Sequence, residues 1–551
     1  MSAGERPNVV VMMMDDLAYG DLACHGNPYV KTPNLDALYA QSVRFPRYSS
    51  GPMCTPARAS LMTGRYHLRT RAIDTFCGRS MIDPGEVTLG HVLQRAGYRT
   101  GAFGKWHLGD AYPMRACDLG FDETLMHNAG GIGQPGDHRE NHWREGEAYF
   151  DPVLFRDGDP EHASGYCTDV FADATIAFVN AHRDKPFFAY FATNAPHTPL
   201  EVPEDWIAPY RGVVSETFAR LYGMVSNIDW NVGRILTALD DNTIVVYTSD
   251  HGPCPSARDY TLPADQQVRW NAGLRGEKGS LYDGAVKVPF FWRWRAGGPG
   301  EGDDDRLASP IDVLPTIATA CGAEVPDGVD GVDLFGEPVD RHIYMQWHRG
   351  NTPERYRNYA VITPQHKLYR TEPNKADELY DLLADPSERD DIAAANPDVV
   401  DALRADYDAW FDDIAAARPD PFAPPRIVIG ATPTVTLTRQ DWRIDDSLAD
   451  MGELAGWMGT TQGWWEVSIV RGTKAKVEVR LEPFVWSRPD IHGSINLRIG
   501  DDTYATPWIL QCTKYDFAVE LHGGDTTIEA FADGGPTGRR SALYVDFATD
   551  V

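Results

Sequence analysis

The chain lacks any excess of positive charge. Against 51 lysines and arginines stand 80 aspartates and glutamates, a net charge of −29. Nucleic acid and anionic membrane surfaces both demand a basic footprint, so neither is expected as a partner. Long apolar runs are missing too: no stretch approaches the roughly 20 residues that span a bilayer. Met1 does not open a basic region followed by an apolar segment, the form of a secretory leader. A cytoplasmic location is therefore expected of the sequence as it stands, and a periplasmic or secreted one if a leader has been removed. Cysteine is sparse and scattered, at positions 24, 54, 77, 117, 167, 254, 321 and 512, with no CxxC pair. These cysteines form no dense disulfide framework. Most of these thiols read as inert and buried, a usage that fits a reducing compartment. Repeats and low-complexity tracts are absent.

What is present is 551 residues of ordinary composition, 42% hydrophobic and 24% charged, more than one compact core requires. Residues 1–340 alternate short apolar runs with helical patterns. Val9 to Met14, Phe187 to Phe191 and Ile244 to Thr248 are uninterrupted apolar runs, as in strands covered on both faces. Thr32-Pro33 opens a helix, with Thr32 as its cap. The expected fold class is α/β, a large mixed, mostly parallel sheet flanked by helices. Residues 341–417 read as a smaller α+β subdomain, and four prolines within 418–426 mark a stiff linker. Beyond it, Val477 to Leu481, Ile495 to Ile499 and Leu543 to Phe547 alternate with period two. Residues 427–551 are expected to form an antiparallel, sandwich-like β domain. It holds Trp442, Trp457, Trp464, Trp465, Trp486 and Trp508, read as packing residues rather than a sugar platform.

Chemistry gathers at strand ends, where sheets of this class place their sites. Asp15-Asp16 follows the first strand and Asp250-His251 follows Ile244 to Thr248. Two such pairs can converge on one cation: carboxylates suit calcium or magnesium, and imidazole leans toward manganese or zinc. Lys105 and His107 lie two residues apart in an extended segment and face the same way, a cation and a proton-transfer group turned to one anion. His197 sits beyond the run Phe187 to Phe191, and Lys278 in a glycine-rich loop. Cys54-Thr55-Pro56-Ala57-Arg58 reads as a helix start, with Arg58 one turn from Cys54 and the helix dipole favouring an anion at its mouth. A helix-start thiol nucleophile is one reading of Cys54, but it leaves the two strand-end pairs without a role. The loop 130–144, rich in Gly, His and Arg, offers Arg139, His142 and Trp143 as candidate substrate residues.

Cysteine followed by proline at the second position and arginine at the fourth is the pattern in which sulfatases convert cysteine to formylglycine. Together the motifs resemble the formylglycine-dependent type I sulfatases of the alkaline phosphatase superfamily, from about Asn8 to about Asp390. Glu378-Leu379-Tyr380-Asp381-Leu382 is similar to that family's C-terminal signature. The resemblance implies hydrolysis of an aryl or carbohydrate sulfate monoester by formylglycine at residue 54, formed by a maturation enzyme. It makes Asp15, Asp16, Asp250, His251 and residue 54 ligands of a divalent metal, calcium first and magnesium or manganese as alternatives. It makes Arg58, Lys105, His107, His197 and Lys278 the polar ring around the nucleophile. His197 then protonates the leaving oxygen, His107 takes the proton whose loss expels sulfate, and Arg58 orients the diol. Three positions depart from the usual pattern. Ala57 replaces a common serine, His251 stands where asparagine is frequent, and Tyr282 to Pro289 lacks the usual paired glycines and arginine. Phosphonate monoester or phosphodiester hydrolysis is the alternative reading, which the doubled Asp15-Asp16 disfavours. A non-catalytic binder of sulfated glycans is a further one, against which the intact polar ring argues. Homo-oligomerisation is left open.

Overall fold

Six apolar residues in a row give a strand no polar face, so Val9 to Met14 must be covered on both sides. In the structure, a computed structural model, Val9, Val11 and Met13 enter one apolar cluster, and Val10, Met12 and Met14 enter another. Alternate residues of a strand point to opposite faces. At about 1.5–3 kcal/mol per buried side chain, this one strand is anchored strongly. The structure describes residues 6–134, 136–142, 146–445, 448, 462–481, 493–509, 512–535 and 538–549.

Ten strands make the main sheet: β1 (Asn8–Met14), β2 (Val43–Arg44), β3 (Arg99–Lys105), β4 (Glu123–His127), β5 (Val153–Arg156), β6 (Asp159–His162), β7 (Phe187–Ala192), β8 (Thr243–Ser249), β9 (Phe290–Arg293) and β10 (Gly302–Asp303). Their spatial order is β10-β2-β9-β8-β1-β7-β3-β4-β5-β6. The five central strands, β8 to β4, run parallel, while β9, β5 and β6 pair antiparallel with their inner neighbours. Helices Cys54–Thr63, Leu89–Arg95 and Val313–Ala320 cover one face, and Cys167–Ala181 and Glu216–Ala238 the other. This is the expected mixed α/β architecture. One local expectation fails: Thr32 precedes helix Pro33–Ala40 without capping it. Its hydroxyl bonds the Asp36 carboxylate (3.0 Å) and accepts from the Ala23 amide (2.9 Å), so a first-turn acid has captured the capping group.

Strands Ile343–Gln346, Tyr359–Ile362, His366–Arg370 and Glu378–Asp381 form an antiparallel sheet. Helix Pro397–Ala416 lays Val400, Leu403, Tyr407 and Phe411 on it. Residues from Ile427 onward build two further sheets, of seven and four strands. Strand Lys514–Leu521 buries every second side chain, as one-sided sheets do. Trp442 and Trp465 are buried there with ring centroids 6.3 Å apart, and Trp508 packs at the margin of the same cluster. Trp457 and Trp486 lie outside the described residues. The β domain shares one apolar cluster with the main sheet, and the Val428 amide bonds the Tyr112 carbonyl at 3.0 Å. No described helix is long and apolar enough to cross a membrane.

Candidate active site

The parallel register decides which residues meet. Met14 of β1 is level with Ser249 of β8, and Gly104 of β3 with Ala192 of β7. Asp15-Asp16, Asp250-His251, Lys105 and His197 therefore leave neighbouring strands at one edge. Gly104 has φ +121, and a Cβ there would lie 1.8 Å from the Ala192 carbonyl oxygen, so only glycine lets β3 turn toward the site beside β7. Asp16 and His107 are non-glycine residues in left-handed backbone, φ 63 and 57. Such geometry costs about 1–3 kcal/mol each and collects at functional positions.

Helix Cys54–Thr63 points its first residue into this edge. All ten of its residues are buried, and Gly64 closes it in the left-handed conformation with an amide bond to the Ser60 carbonyl. Ala57 faces Gly51, where an added Cβ would come within 2.8 Å of the Ala57 methyl. The small pair lets the preceding loop fold tightly onto the helix. Gly279 donates to the Pro52 carbonyl (3.1 Å), which ties the Lys278 loop to the loop before Cys54.

Around the Cys54 sulfur stand His251 Nε2 at 3.1 Å and Asp15 Oδ1 at 3.7 Å. One ligand atom from each of Asp15, Cys54, Asp250 and His251 lies within 4.8 Å of the others. Asp16 joins through the other residues: its Oδ1 is 2.8 Å from Lys278 Nζ and 3.3 Å from His251 Nε2, and its amide donates to Asp250 Oδ1 (3.2 Å). Lys105 Nζ donates to Asp15 Oδ2 at 2.6 Å. Arg58 donates Nε and Nη2 to Asp250 Oδ2 (3.1 and 2.8 Å) and Nη1 to the Lys105 carbonyl (3.3 Å). Three buried carboxylates are thus answered by three buried cations. Carbonyls only accept, so the histidine bonds to them fix tautomers. His251 Nδ1–H donates to the Gly252 carbonyl (3.0 Å) and turns Nε2 to the cluster. His197 Nδ1–H donates to the Thr198 carbonyl (2.6 Å), with Nε2 3.8 Å from Asp16 Oδ2.

The electrostatics follow from burial and these charges. Burial pushes the Asp15 carboxyl up, Lys105 pulls it down, and it settles at about 7. Burial also opposes ionisation of Asp16, but Lys278, His197 and His251 outweigh it and hold that carboxyl well below the usual range. Asp250 is likewise held far down against its burial, by His251 and Arg58. Burial would raise the Cys54 thiol, yet Lys105, Lys278 and His251 bring it down to about 6. Burial would lower His251, but Asp250 raises it to about 9. Asp16 Oδ2 is buried without a hydrogen-bond partner. An orphaned carboxylate oxygen beside an imidazole nitrogen and two more carboxylates fits a divalent cation.

His107 lies beside this cluster. Its carbonyl accepts from the hydroxyl of Thr55, the neighbour of Cys54 (2.9 Å). Its Nε2 meets the Thr75 carbonyl at 3.1 Å, and Nδ1 is buried without a partner. Burial, with Lys105 and Arg58 close by, holds the ring neutral. Of the loop residues, Arg139 reaches Asp546 (3.5 Å) and His142 packs its ring edge on Tyr544 (5.7 Å), both on the β domain. Trp143 lies outside the described residues. Sequence reasoning missed Ser50, whose hydroxyl donates to the Asp250 carbonyl (2.7 Å). It also missed Trp347 and Arg349, which both donate to Asp74 Oδ1 (3.1 and 2.7 Å). A Cβ at Gly279 would stand 3.1 Å from the Trp347 ring. No spacing signal links residues 74, 279 and 347.

A sheet of this topology, with a buried cysteine, carboxylates and cations at the carboxyl ends of its central strands, fits an ester hydrolase of the alkaline-phosphatase-like class. The chain belongs to the sulfatase family, enzymes that hydrolyse sulfuric esters: the Sulfatase family model matches residues 7–323, and the model of the N-sulphoglucosamine sulphohydrolase C-terminal region matches residues 276–406. It is 28% identical over 485 residues to N-acetylgalactosamine-6-O-sulfatase of Bacteroides thetaiotaomicron, covering 72% of this chain and 92% of the relative. It is 29% identical to human arylsulfatase A, covering 73% and 87% of the two chains. The crystal structure of Ps i-CgsB in complex with k-i-k-neocarrahexaose shares the fold with a TM-score of 0.65 at 27% identity, over 74% of this chain and 93% of that one.

Proposed function

We propose that the protein removes sulfate from a carbohydrate sulfate monoester, using formylglycine formed at residue 54 and a divalent cation, calcium first, held by Asp15, Asp16, Asp250 and His251. The gathering of Asp15, Asp250 and His251 about Cys54, with Asp16 joined to them through His251, is the observation that carries the reading. The modified residue and the cation together supply an activated hydroxyl near neutral pH. Everything else falls to this chain's side chains. Lys278 and Lys105 stand where they offset charge developing on the sulfuryl oxygens. His197, with Nε2 turned inward, donates the proton to the leaving alcohol. His107 Nδ1, neutral and unpartnered, takes the proton whose loss lets sulfate depart. Arg58, spent on Asp250, holds that carboxylate in place, and through it the orientation of residue 54.

The carbohydrate assignment draws on the two sugar-directed relatives and on Trp347, Asp74 and Arg349, an aromatic face with a charged pair beside the Lys278 loop. Such a set suits sugar rings and their hydroxyls. Arg139 lines a cavity of about 790 Å³ against the β domain and is assigned to sugar units beyond the cleaved one. His142, braced on Tyr544, holds that loop.

The test is sulfate release by enzyme matured with a formylglycine-generating enzyme, conversion being checked by mass spectrometry of the peptide from Tyr48 to Arg58. Substrates are a chromogenic aryl sulfate, 6-sulfated N-acetylgalactosamine, carrageenan oligosaccharides, a phosphonate monoester and a phosphodiester. Sulfated sugars should be turned over best. Converted enzyme that cleaves only the phosphorus esters, or fully active enzyme with unmodified Cys54, would overturn the reading.

A further inference from the structure

Both family models end by residue 406, yet a residue beyond them reaches the catalytic histidine. Gln440 lies in a turn of the β domain and is 1% exposed. Its side-chain amide donates to the Thr75 carbonyl and to Ser80 Oγ (3.0 Å), and lies 3.2 Å from His107 Nε2. The same Thr75 carbonyl receives His107 Nε2 at 3.1 Å. A carbonyl has two lone pairs and no proton. Both groups facing it must therefore be donors: the amide nitrogen of Gln440 and the Nε2–H of His107. The Thr75 carbonyl thereby keeps the proton on Nε2 and leaves the Nδ1 lone pair free, and Gln440, bonded to that carbonyl and to Ser80, holds the carbonyl in place.

The turn is built to hold this position. Thr438 Oγ1 donates to Asp110 Oδ2 (2.9 Å), the Asp110 amide donates to Asp441 Oδ2 (3.2 Å), and the Gly78 amide donates to the Gln440 carbonyl (3.1 Å). Arg439 donates to the Ala542 and Ser541 carbonyls (3.0 and 2.7 Å). A Cβ at Gly136 would fall 2.4 Å from Gln440 Cβ, so the 130–144 loop closes over the same side chain. Shared acceptors and packing of this kind set which nitrogen of a histidine is available.

We infer that Gln440 is a positioning residue for His107: the appended β domain completes the catalytic site by holding the Thr75 carbonyl, which fixes the tautomer that leaves Nδ1 free to take the proton released as sulfate leaves. The inference rests on the role given to His107 above. Single-turnover alcohol release, with enzyme in excess over an aryl sulfate, reports the attack. Steady-state kcat includes the later proton transfer. In matured full-length protein, Gln440→Ala and the volume-conserving Gln440→Met should keep the parental single-turnover rate and kcat/KM and lose about tenfold in kcat, with KM falling in step. A kcat within about twofold of the parent, or equal losses in both rates, overturns the inference. His107→Ala is the control, expected to release one equivalent of alcohol per site and then stall. Parental turnover by His107→Ala would overturn the role of His107 itself. A stall there with parental turnover by both Gln440 variants would overturn the role of Gln440 alone.

Discussion

Replacing Arg58 by methionine removes one charge from the interior and keeps most of its volume. The guanidinium has no exposed surface and lies 2.8 Å from Asp250 Oδ2 and 3.8 Å from Asp15 Oδ1. At an effective dielectric of about 20, a pair 2.8 Å apart attracts by about 6 kcal/mol. That figure is gross, because burying the guanidinium was itself costly. Removing one partner of a buried pair costs about 3–5 kcal/mol net, since the other charge stays behind. Burial would then push the Asp250 carboxyl up, with one of its two chief opponents gone. In cation-free protein, urea unfolding followed by fluorescence of the buried Trp106 and Trp292 should shift down by about 1 M or more, at about 3 kcal/mol per molar urea. Added calcium should narrow the gap, because it restores positive charge beside the same carboxylates. Arg58→Lys should fall between, keeping charge but losing the fork that spans Asp250 and the Lys105 carbonyl. An unfolding midpoint equal to the parent's in Arg58→Met, without cation, would refute the ion-pair reasoning.

Other expectations are as direct. His251 has its folded pKa raised to about 9 from 6.5. In cation-free protein its contribution to stability is complete below about pH 6.5 and is lost as pH rises through about 9. An ion must displace that proton from Nε2, so calcium should bind more tightly at pH 9 than at pH 6.5 and release protons on binding. Equal affinities in titration calorimetry would reject His251 as a ligand. Chelation should abolish turnover yet leave the circular dichroism spectrum unchanged, because Arg58, Lys105 and Lys278 already balance Asp15, Asp16 and Asp250; loss of secondary structure on chelation would contradict that balance. Gly104→Ala should remove activity and lower soluble yield, since its methyl would overlap the Ala192 carbonyl; a well-folded, active variant would mean that β3 can shift.

The strand-end pairs were legible because uninterrupted apolar runs announce central parallel strands, and such strands end where sites form. The helix start at Cys54 was legible from Pro56 and the motif around it. The pairing of Arg58 with Asp250 was not. One turn of helix places Arg58 near Cys54, but only the register of β1 and β8 decides which carboxylate stands beside both. The loop 130–144 carried the right composition for a ligand wall, yet its described residues turn to Asp546 and Tyr544, and composition does not say what a loop faces. Gln440 was invisible for a further reason. Glutamine in a turn carries no chemical signature, and its partner is 333 residues away in the chain.

The depth of Cys54 has a consequence in time. Every residue of its helix is buried, packed on helix Val313–Ala320 and against Asp250. A catalyst as large as a protein cannot reach residue 54 once those partners have closed over it. The conversion to formylglycine proposed above must therefore precede that closure, which awaits the emergence of residue 320, 266 residues after residue 54. Those 266 residues take roughly 15–50 s to synthesise at about 5–20 residues per second. On the proposed function, the active fraction is settled by a race between conversion and folding, and slower translation or more maturation enzyme should raise it where later incubation of the folded protein cannot.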